Sequence, residues 1–331
     1  MAVHPDAMDK VFSGIQPSGQ LHIGNYLGAV RRWVELLKDH DCTYCIVDYH
    51  AVTQDFEPKE MQERVFEMAC GLMACGVDPE KCKLFVQSHV PEHTELAWIL
   101  NTVTPMGELE RQVQYKSKAE SQPENINVGL FGYPVLQAAD ILLYRAVKVP
   151  VGEDQVQHLE LAREIVRKFK NRFGYDFPEP KPLLSDIKRL KGLDGEDKMS
   201  KSLGNTIGID EDEAGIAAKL KKAKTDPQRK TLKDRGDPEV CNLYTMHRFF
   251  SSAEEQKWAA EGCRKASIGC GECKDKLKKN LIAHLGPIQE KIRAFRKEPD
   301  KVWTSLHEGA QAARREAAQT LRDVRKAMGL R

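Results

Sequence analysis

The chain has 331 residues, 41% hydrophobic and 30% charged, with nine cysteines and a formal net charge of +2. That composition argues against a disordered or membrane-spanning chain and predicts about two domains with a sizeable core. An odd cysteine count behind a start, MAVHPDAMDKVF, that lacks a basic segment and an apolar run argues against a secreted disulfide framework. A cytoplasmic protein is expected, and no membrane partner. The small net charge hides an asymmetry: Cys241 to Arg331 carry 19 Lys and Arg against 11 Asp and Glu, a surplus of +8, which leaves −6 in the first 240 residues. Such a division suggests a polyanion for the C-terminal segment.

In chain order, VFSGIQPSG predicts a short strand ending in a Pro/Gly turn. NYLGAVRRWVELL follows with Leu27, Val30, Val34 and Leu37 at helical spacing. CTYCIVDYHAVT and CKLFVQSHV predict buried strands, separated by an amphipathic helix, ERVFEMACGLMACGV. Alternation of this kind predicts a parallel sheet with helical crossovers. Helical segments dominate from 91 to 148, then AVKVPVG predicts another strand, with a helix starting near Glu153. Residues 221–239 mix charges without an apolar period and predict a mobile surface loop. Helices run from there to the end, and in the last one Val302, Leu306, Ala310, Ala313, Ala317, Leu321, Val324 and Met328 form one stripe.

Two loops carry chemistry. FSGIQPSGQLHIGN joins a strand to a helix yet matches neither G-x-G-x-x-G nor G-x-x-x-x-G-K-[ST]. Its glycines and the helix start favour phosphate. His22 and Asn25, one turn apart, are hydrogen-bond donors suited to charge developing on a phosphate. The plain alternative is a loop in which His22 caps the helix. The second loop, Lys198-Met199-Ser200-Lys201-Ser202, is compact and cationic, able to grip a polyphosphate. Each is weak alone; as a pair they are specific.

H-I-G-N and K-M-S-K-S are the two signatures of class I aminoacyl-tRNA synthetases. With IVDYHAVT, GELER, YPVLQAADILLY and VPVGEDQVQHLELAR, the chain from Val11 onward resembles the bacterial-type tryptophanyl-tRNA synthetases. The resemblance implies an α/β fold: a Rossmann-type parallel-sheet catalytic domain over 1–205, with a helical insertion near 91–148. It further implies a helical tRNA anticodon-binding domain over 206–300 and a C-terminal helix over 301–331. The implied reaction is activation of L-tryptophan by Mg-ATP to tryptophanyl-adenylate, then transfer to tRNA(Trp), by a homodimer with no DNA partner. By resemblance Gln16, Pro17, Ser18, Gly24, Asn25, Gly28, Lys118, Gly152, Glu153 and Asp154 line the ATP site. His22, Asn25, Lys198 and Lys201 serve the reacting phosphates, and Met199, Ser200 and Ser202 close over them.

Such a reaction needs no nucleophilic side chain or general base, only positioning and stabilisation of negative charge. Asp140, read alone, is a carboxylate on a helix surface. By resemblance it accepts the indole N–H, within a pocket of Phe12, Gly14, His50, Gln137, Val149, Val151 and Gln155. A buried acceptor rejects phenylalanine because it would be left unpaired. Gln137 and Tyr49 differ from the residues of some family members, which leaves the packing around the indole open. A tyrosyl-type synthetase and a non-catalytic tRNA-binding paralogue are the rival readings.

Cys241, Cys263, Cys270 and Cys273 follow the spacing C-x21-C-x6-C-x2-C. Thiolates in this number suit zinc or an iron–sulfur cluster, and four unconnected cysteines are the plain alternative. Resemblance favours the family subset with a [4Fe–4S] cluster at this place, zinc being the alternative. Eight Lys and Arg lie between Lys274 and Lys297, a basic helical face suited to an anticodon stem. Cys42, Cys45, Cys70, Cys75 and Cys82 are read as buried thiols.

Overall fold

The computed structural model describes residues 8–184, 190–196, 199–200 and 203–331, the side chains of Lys118, Ser121 and Asp154 excepted. The first strand, β1 (Lys10–Ile15), leads to a short helix α1 (Ile23–Asn25), a π-helical turn (Tyr26–Val30) and α2 (Arg31–Leu36). Next come β2 (Asp41–Ile46), α3 (Asp48–Ala51), α4 (Met61–Ala74) and β3 (Cys82–Val86). Four helices follow: α5 (Glu92–Asn101), α6 (Met106–Glu110), α7 (Val113–Ser121) and α8 (Val128–Leu143). Then β4 (Lys148–Val151), α9 (Val156–Phe173) and β5 (Lys181–Leu184) complete the α/β part. The remainder is helical: α10 (Glu213–Lys222), α11 (Asn242–Phe250), α12 (Ala253–Lys265), α13 (Cys270–Lys297) and α14 (Pro299–Ala327).

The chain divides into two compact units, one of Met1–Gly19, Ala29–Asp186 and Glu298–Arg331, the other of Gln20–Gly28 and Ile187–Lys297. These limits differ from the expected 1–205, 206–300 and 301–331. The H-I-G-N segment belongs to the second unit and the last helix to the first.

In the first unit the strands pair in parallel in the order β3-β2-β1-β4-β5. This is the order of a Rossmann-type sheet, whose ligand crevice lies at the carboxyl ends where the order reverses, here between β1 and β4. In β2 every residue after Asp41 is buried, as expected for a strand covered on both faces. The predicted stripe of the last helix is buried at seven of its eight positions, with Met328 only packed against the rim of that core. This helix meets β3 so closely that a Cβ at Gly309 would lie 2.0 Å from the Leu84 carbonyl oxygen. Lys83 extends the tie, pairing with Glu316 at 2.8 Å and Asp41 at 2.7 Å.

In the second unit α13 buries Leu277, Leu281, Leu285, Ile288 and Ile292; Lys279, Lys291 and Lys297 are exposed, while Lys274 is half-buried and donates to the Lys221 and Ala223 carbonyls at 2.9 and 2.8 Å. The loop expected to be mobile between 221 and 239 is instead pinned by two buried polar side chains. Asp226 accepts from the backbone N–H groups of Gln228 and Asp237, at 2.8 and 2.7 Å. Arg229 donates to the Ile268 carbonyl. Buried charges with fixed partners order a segment whose composition alone reads as loose. Of the five cysteines read as buried, Cys42, Cys45 and Cys70 are so, while Cys75 and Cys82 are half-buried because each lies at the end of its element. No helix among the described residues is long and apolar enough to cross a membrane.

Candidate active site

Asp140 sits on the inner face of α8 and is 1% exposed, so it is no helix-surface carboxylate. Its neighbours come from three other parts of the first unit. His50 on α3 reaches Oδ2 through Nε2 at 2.8 Å. Gln87, directly after β3, donates Nε2–H to Oδ1 at 2.7 Å, and His93 on α5 places Nδ1 2.6 Å from the same oxygen. An ionised carboxylate only accepts, so all three neighbours act as donors. Burial pushes the Asp140 carboxyl up, but the hydrogen bonds from His50 and His93 outweigh it and bring the pKa down to about 2.

Behind His93, its Nε2 meets the Tyr144 hydroxyl at 2.8 Å. Tyr144 stacks on Phe12 of β1, ring centres 5.6 Å apart and planes within 6°. A second chain runs beside the first. The Nδ1 of His158 lies 3.0 Å from Gln155 Oε1, its Nε2 lies 3.2 Å from the Tyr133 hydroxyl, and Tyr133 packs edge-on against His50. Phe12, His50, Asp140 and Val149 are buried, Gln137, Val151 and Gln155 are half-buried, and Gly14 is exposed at the end of β1. Tyr49, beside His50, is half-buried.

Gln87, His93, Tyr133, Tyr144 and His158 are absent from the sequence-based set. Tyr133 and Tyr144 are the first and last letters of YPVLQAADILLY, eleven residues apart on one buried helix and its cap, and that is the available signal. Gln87 and His93 lie outside any recognised motif and are joined to Asp140 only by the fold.

The second unit holds the H-I-G-N segment. His22 is the N-cap of α1: its Nδ1 accepts from the backbone N–H groups of Gly24 at 3.1 Å and Asn25 at 3.3 Å. Asn25 Oδ1 accepts in return from the His22 N–H at 3.3 Å, completing a capping box. This is the plain alternative read from the sequence, a His22 that caps the helix. With Nδ1 accepting, a neutral His22 carries its proton on Nε2, and Asn25 keeps Nδ2 as its donating end. Each side chain thus gives one accepting atom to the cap, His22 Nδ1 and Asn25 Oδ1, and has one donating atom besides.

This segment pairs with residues just beyond K-M-S-K-S. His22 and Gly208 form an antiparallel bridge, with Ile23 N–H to Ile207 O and Ile209 N–H to Leu21 O both at 3.0 Å. Gly24 faces Met199: a Cβ there would lie 3.3 Å from the Met199 Cβ and 2.9 Å from the His22 ring. Asn205 accepts the Ser200 N–H at 2.7 Å and donates to Asp194 at 2.5 Å. Lys198, Lys201 and Ser202 lie outside the described residues, as do the side chains of Lys118 and Asp154.

The remaining expected ATP residues fall at the switch point of the sheet or in the second unit. Gln16, Pro17 and Ser18 follow β1, with Pro17 buried, and Gly152 and Glu153 follow β4, both exposed. Gly28, in the second unit, faces open space.

The four C-terminal cysteines also belong to the second unit. Cys241 caps α11, Cys263 lies near the end of α12, and Cys270 and Cys273 open α13. Burial first, then Cys241, Cys270 and Cys263, push the Cys273 thiol up to about 12. Its sulfur lies 3.3 Å from His247 Nε2. The donor types suit a thiophilic metal, but among the described residues no three His, Cys, Asp or Glu side chains are arranged to hold a metal ion. The arrangement does not fit a preformed site.

Comparison with known proteins agrees with this geometry. Residues 7–286 match the family described as tRNA synthetases class I (W and Y). The tryptophan--tRNA ligase of Deinococcus radiodurans is 49% identical over 327 residues, spanning 97% of this chain and 99% of that protein. The corresponding Thermotoga maritima enzyme is 43% identical over 326 residues, spanning 97% and 99%. The crystal structure of tryptophanyl-tRNA synthetase from Campylobacter jejuni complexed with ADP and tryptophan matches with a TM-score of 0.86 at 35% identity, covering 97% of this chain and all of that one. The chain belongs to the tryptophanyl branch of the class I tRNA synthetases.

Proposed function

We propose that this chain is a tryptophan--tRNA ligase that activates L-tryptophan with Mg-ATP and passes the aminoacyl group to tRNA(Trp). The observation that carries the reading is Asp140, a buried carboxylate whose neighbours all donate to it, in the same unit as the apolar side chains Phe12 and Val149. Such a group accepts an indole N–H. The tyrosyl-type rival would need donors as well as acceptors for a phenol hydroxyl.

In the first step a tryptophan carboxylate oxygen attacks the α-phosphorus of ATP in line, and the bond to the bridging oxygen breaks to release pyrophosphate. In the second, a ribose hydroxyl of the tRNA attacks the acyl carbon and AMP leaves. The roles proposed for His22, Asn25, Lys198 and Lys201 are electrostatic, donors toward the phosphates rather than acid–base groups. Gln16 to Ser18, Gly24, Gly28, Lys118, Gly152 to Asp154 and Met199 to Ser202 are proposed to hold ATP. Gly14, His50, Gln137, Val149, Val151 and Gln155 complete the tryptophan pocket.

The second unit, with the basic residues of α13, is proposed to meet the tRNA anticodon stem. A homodimer is proposed on the apolar side chains left exposed on α5 to α8, Trp98, Met106, Val113 and Val128. The four cysteines are proposed to bind a [4Fe–4S] cluster, with zinc its competitor, on the chemistry of their thiolates; no step of aminoacylation runs through it.

ATP–pyrophosphate exchange, driven by tryptophan and then by tyrosine, tests the core of the reading. Exchange with tryptophan alone supports it; exchange with tyrosine, or with neither, overturns it in favour of the tyrosyl-type enzyme or the non-catalytic paralogue. Iron, sulfide and zinc assays on anaerobically purified protein decide the cysteine proposal.

A further inference from the structure

The two oxygens of Asp140 are not equivalent. Oδ1 takes hydrogen bonds from Gln87 Nε2 at 2.7 Å and His93 Nδ1 at 2.6 Å, which fill both of its lone-pair directions. Oδ2 takes a single one among the described residues, from His50 Nε2 at 2.8 Å. The carboxylate therefore has one direction left, on Oδ2, beside the His50 ring.

Both donors to Oδ1 are held in one orientation. The Gln87 amide is wholly buried, and turning it over would set its oxygen against Oδ1, acceptor to acceptor. Its Oε1 has no hydrogen-bond partner among the described residues, so Asp140 alone dictates which way the amide faces. For His93, the opposite ring nitrogen lies 2.8 Å from the Tyr144 hydroxyl. Asp140 as a carboxylate only accepts, so His93 Nδ1 carries a hydrogen aimed at it, and in the tautomer with its one hydrogen there Nε2 accepts from the Tyr144 hydroxyl. Tyr144 in turn is clamped against Phe12 and lies edge-on to Phe85. In that tautomer a chain of donors runs Tyr144 to His93 to Asp140.

We propose that Gln87 and His93 are positioning residues for tryptophan selection: by occupying Oδ1 they leave Oδ2, next to His50, as the one place where Asp140 accepts the indole N–H. This rests on the proposed role of Asp140 and extends it to residues that no motif contains. Losing either donor lets the carboxylate turn or take water on Oδ1, and preference for an N–H over an isosteric group without one weakens.

The test is tryptophan-dependent ATP–pyrophosphate exchange, compared with exchange driven by β-(3-benzothienyl)alanine, in which sulfur replaces the indole N–H. The readout is the ratio of the two kcat/KM values, because a merely structural fault lowers both and leaves the ratio alone. In His93→Leu the tryptophan KM is expected to rise by at least about tenfold, the worth of a hydrogen bond to a charged group. The benzothienyl KM should move little and kcat less than KM, so the ratio falls by the same factor. His93→Asn puts an amide nitrogen near the place of Nδ1 and should restore most of the ratio. An unchanged ratio in His93→Leu overturns the inference. If His93→Leu lacks a cooperative thermal transition, Gln87→Met decides in its place, with the same fall expected and the same failure criterion. Asp140→Asn, measured in parallel, separates the layers. An unchanged ratio there removes Asp140 from indole recognition and this inference with it; a collapsed ratio there, beside an intact one in His93→Leu, removes only the inference.

Discussion

Asp140 in the first unit and His22 in the second are both buried polar side chains proposed to touch substrate, yet they are held in opposite ways. Asp140 is fixed by three side chains, 47 to 90 residues away in sequence, each delivering a hydrogen to a charged group. His22 is fixed by backbone N–H groups two and three residues ahead and by the reciprocal bond to Asn25. The first arrangement depends on the whole α/β fold; the second is local and closes on itself. Recognition and stability are therefore fused at Asp140 and separable at His22.

The largest expected effect breaks the fused case. Asp140→Ala leaves His50, Gln87 and His93 pointing donors into a buried space with no acceptor. Tryptophan-dependent exchange should be abolished, and thermal or urea unfolding should show a loss of about 3–5 kcal/mol, typical of removing one partner from a buried charged group. Exchange at the wild-type level with unchanged tryptophan KM would take Asp140 out of the pocket.

At His22 the two functions should come apart. Asn is among the best N-cap residues, so His22→Asn keeps the helix start while removing the imidazole. We expect kcat for exchange to fall about 100-fold, as on loss of one donor to a developing charge. Unfolding should change by no more than about 0.5 kcal/mol. A variant that loses stability without losing kcat would reverse this assignment and leave His22 a cap only.

Acid sharpens the contrast next. The Asp140 carboxyl is held at about 2, below its ordinary 3.8. A depressed carboxyl stabilises the folded state fully above the unfolded pKa, and this stabilisation fades as pH falls from about 4 toward about 2. In urea unfolding, wild type should lose about 2 kcal/mol over that interval beyond what Asp140→Asn loses. Parallel curves for the two proteins would mean that Asp140 is not held below its ordinary pKa.

The same contrast explains what could be read from sequence. The strand–helix alternation, the stripe of the last helix and the one-turn spacing of His22 and Asn25 are local periodicities, and they match the structure. The H-I-G-N segment is joined to residues just beyond K-M-S-K-S at the bridge between His22 and Gly208. Gln87 and His93 were illegible because a Gln after a strand and a His in a helix look the same whether they face water or a carboxylate 53 or 47 residues on. The loop around Asp226 was misjudged for a related reason: charge density looks mobile until one charge is seen buried on backbone N–H groups. The limits of the two units differ from the expected ones because the nine residues Gln20–Gly28, which contain H-I-G-N, join a segment far downstream, which no composition shift marks.

The smallest effect concerns a residue of the second unit that no motif includes. Asn205 accepts the Ser200 N–H through one end of its amide and donates to Asp194 through the other, while its carbonyl receives the Leu193 N–H at 2.8 Å. It thus ties the segment carrying Met199 and Ser200 to the preceding turn. Asn205→Ala should loosen that segment and raise the KM for ATP about tenfold, near the worth of one or two ordinary hydrogen bonds, with tryptophan KM unchanged. Asn205→Asp sharpens the comparison with Asp140. A carboxylate at 205 can still accept from Ser200, but its other oxygen would face Asp194, where the amide now donates. At neutral pH this variant should be no better than Asn205→Ala, although it differs from wild type by one atom type. At 140 every neighbour donates and a carboxylate is stabilised; at 205 one neighbour accepts and only an amide fits. If Asn205→Asp matched wild type in ATP KM, the bond to Asp194 would contribute nothing to holding the loop.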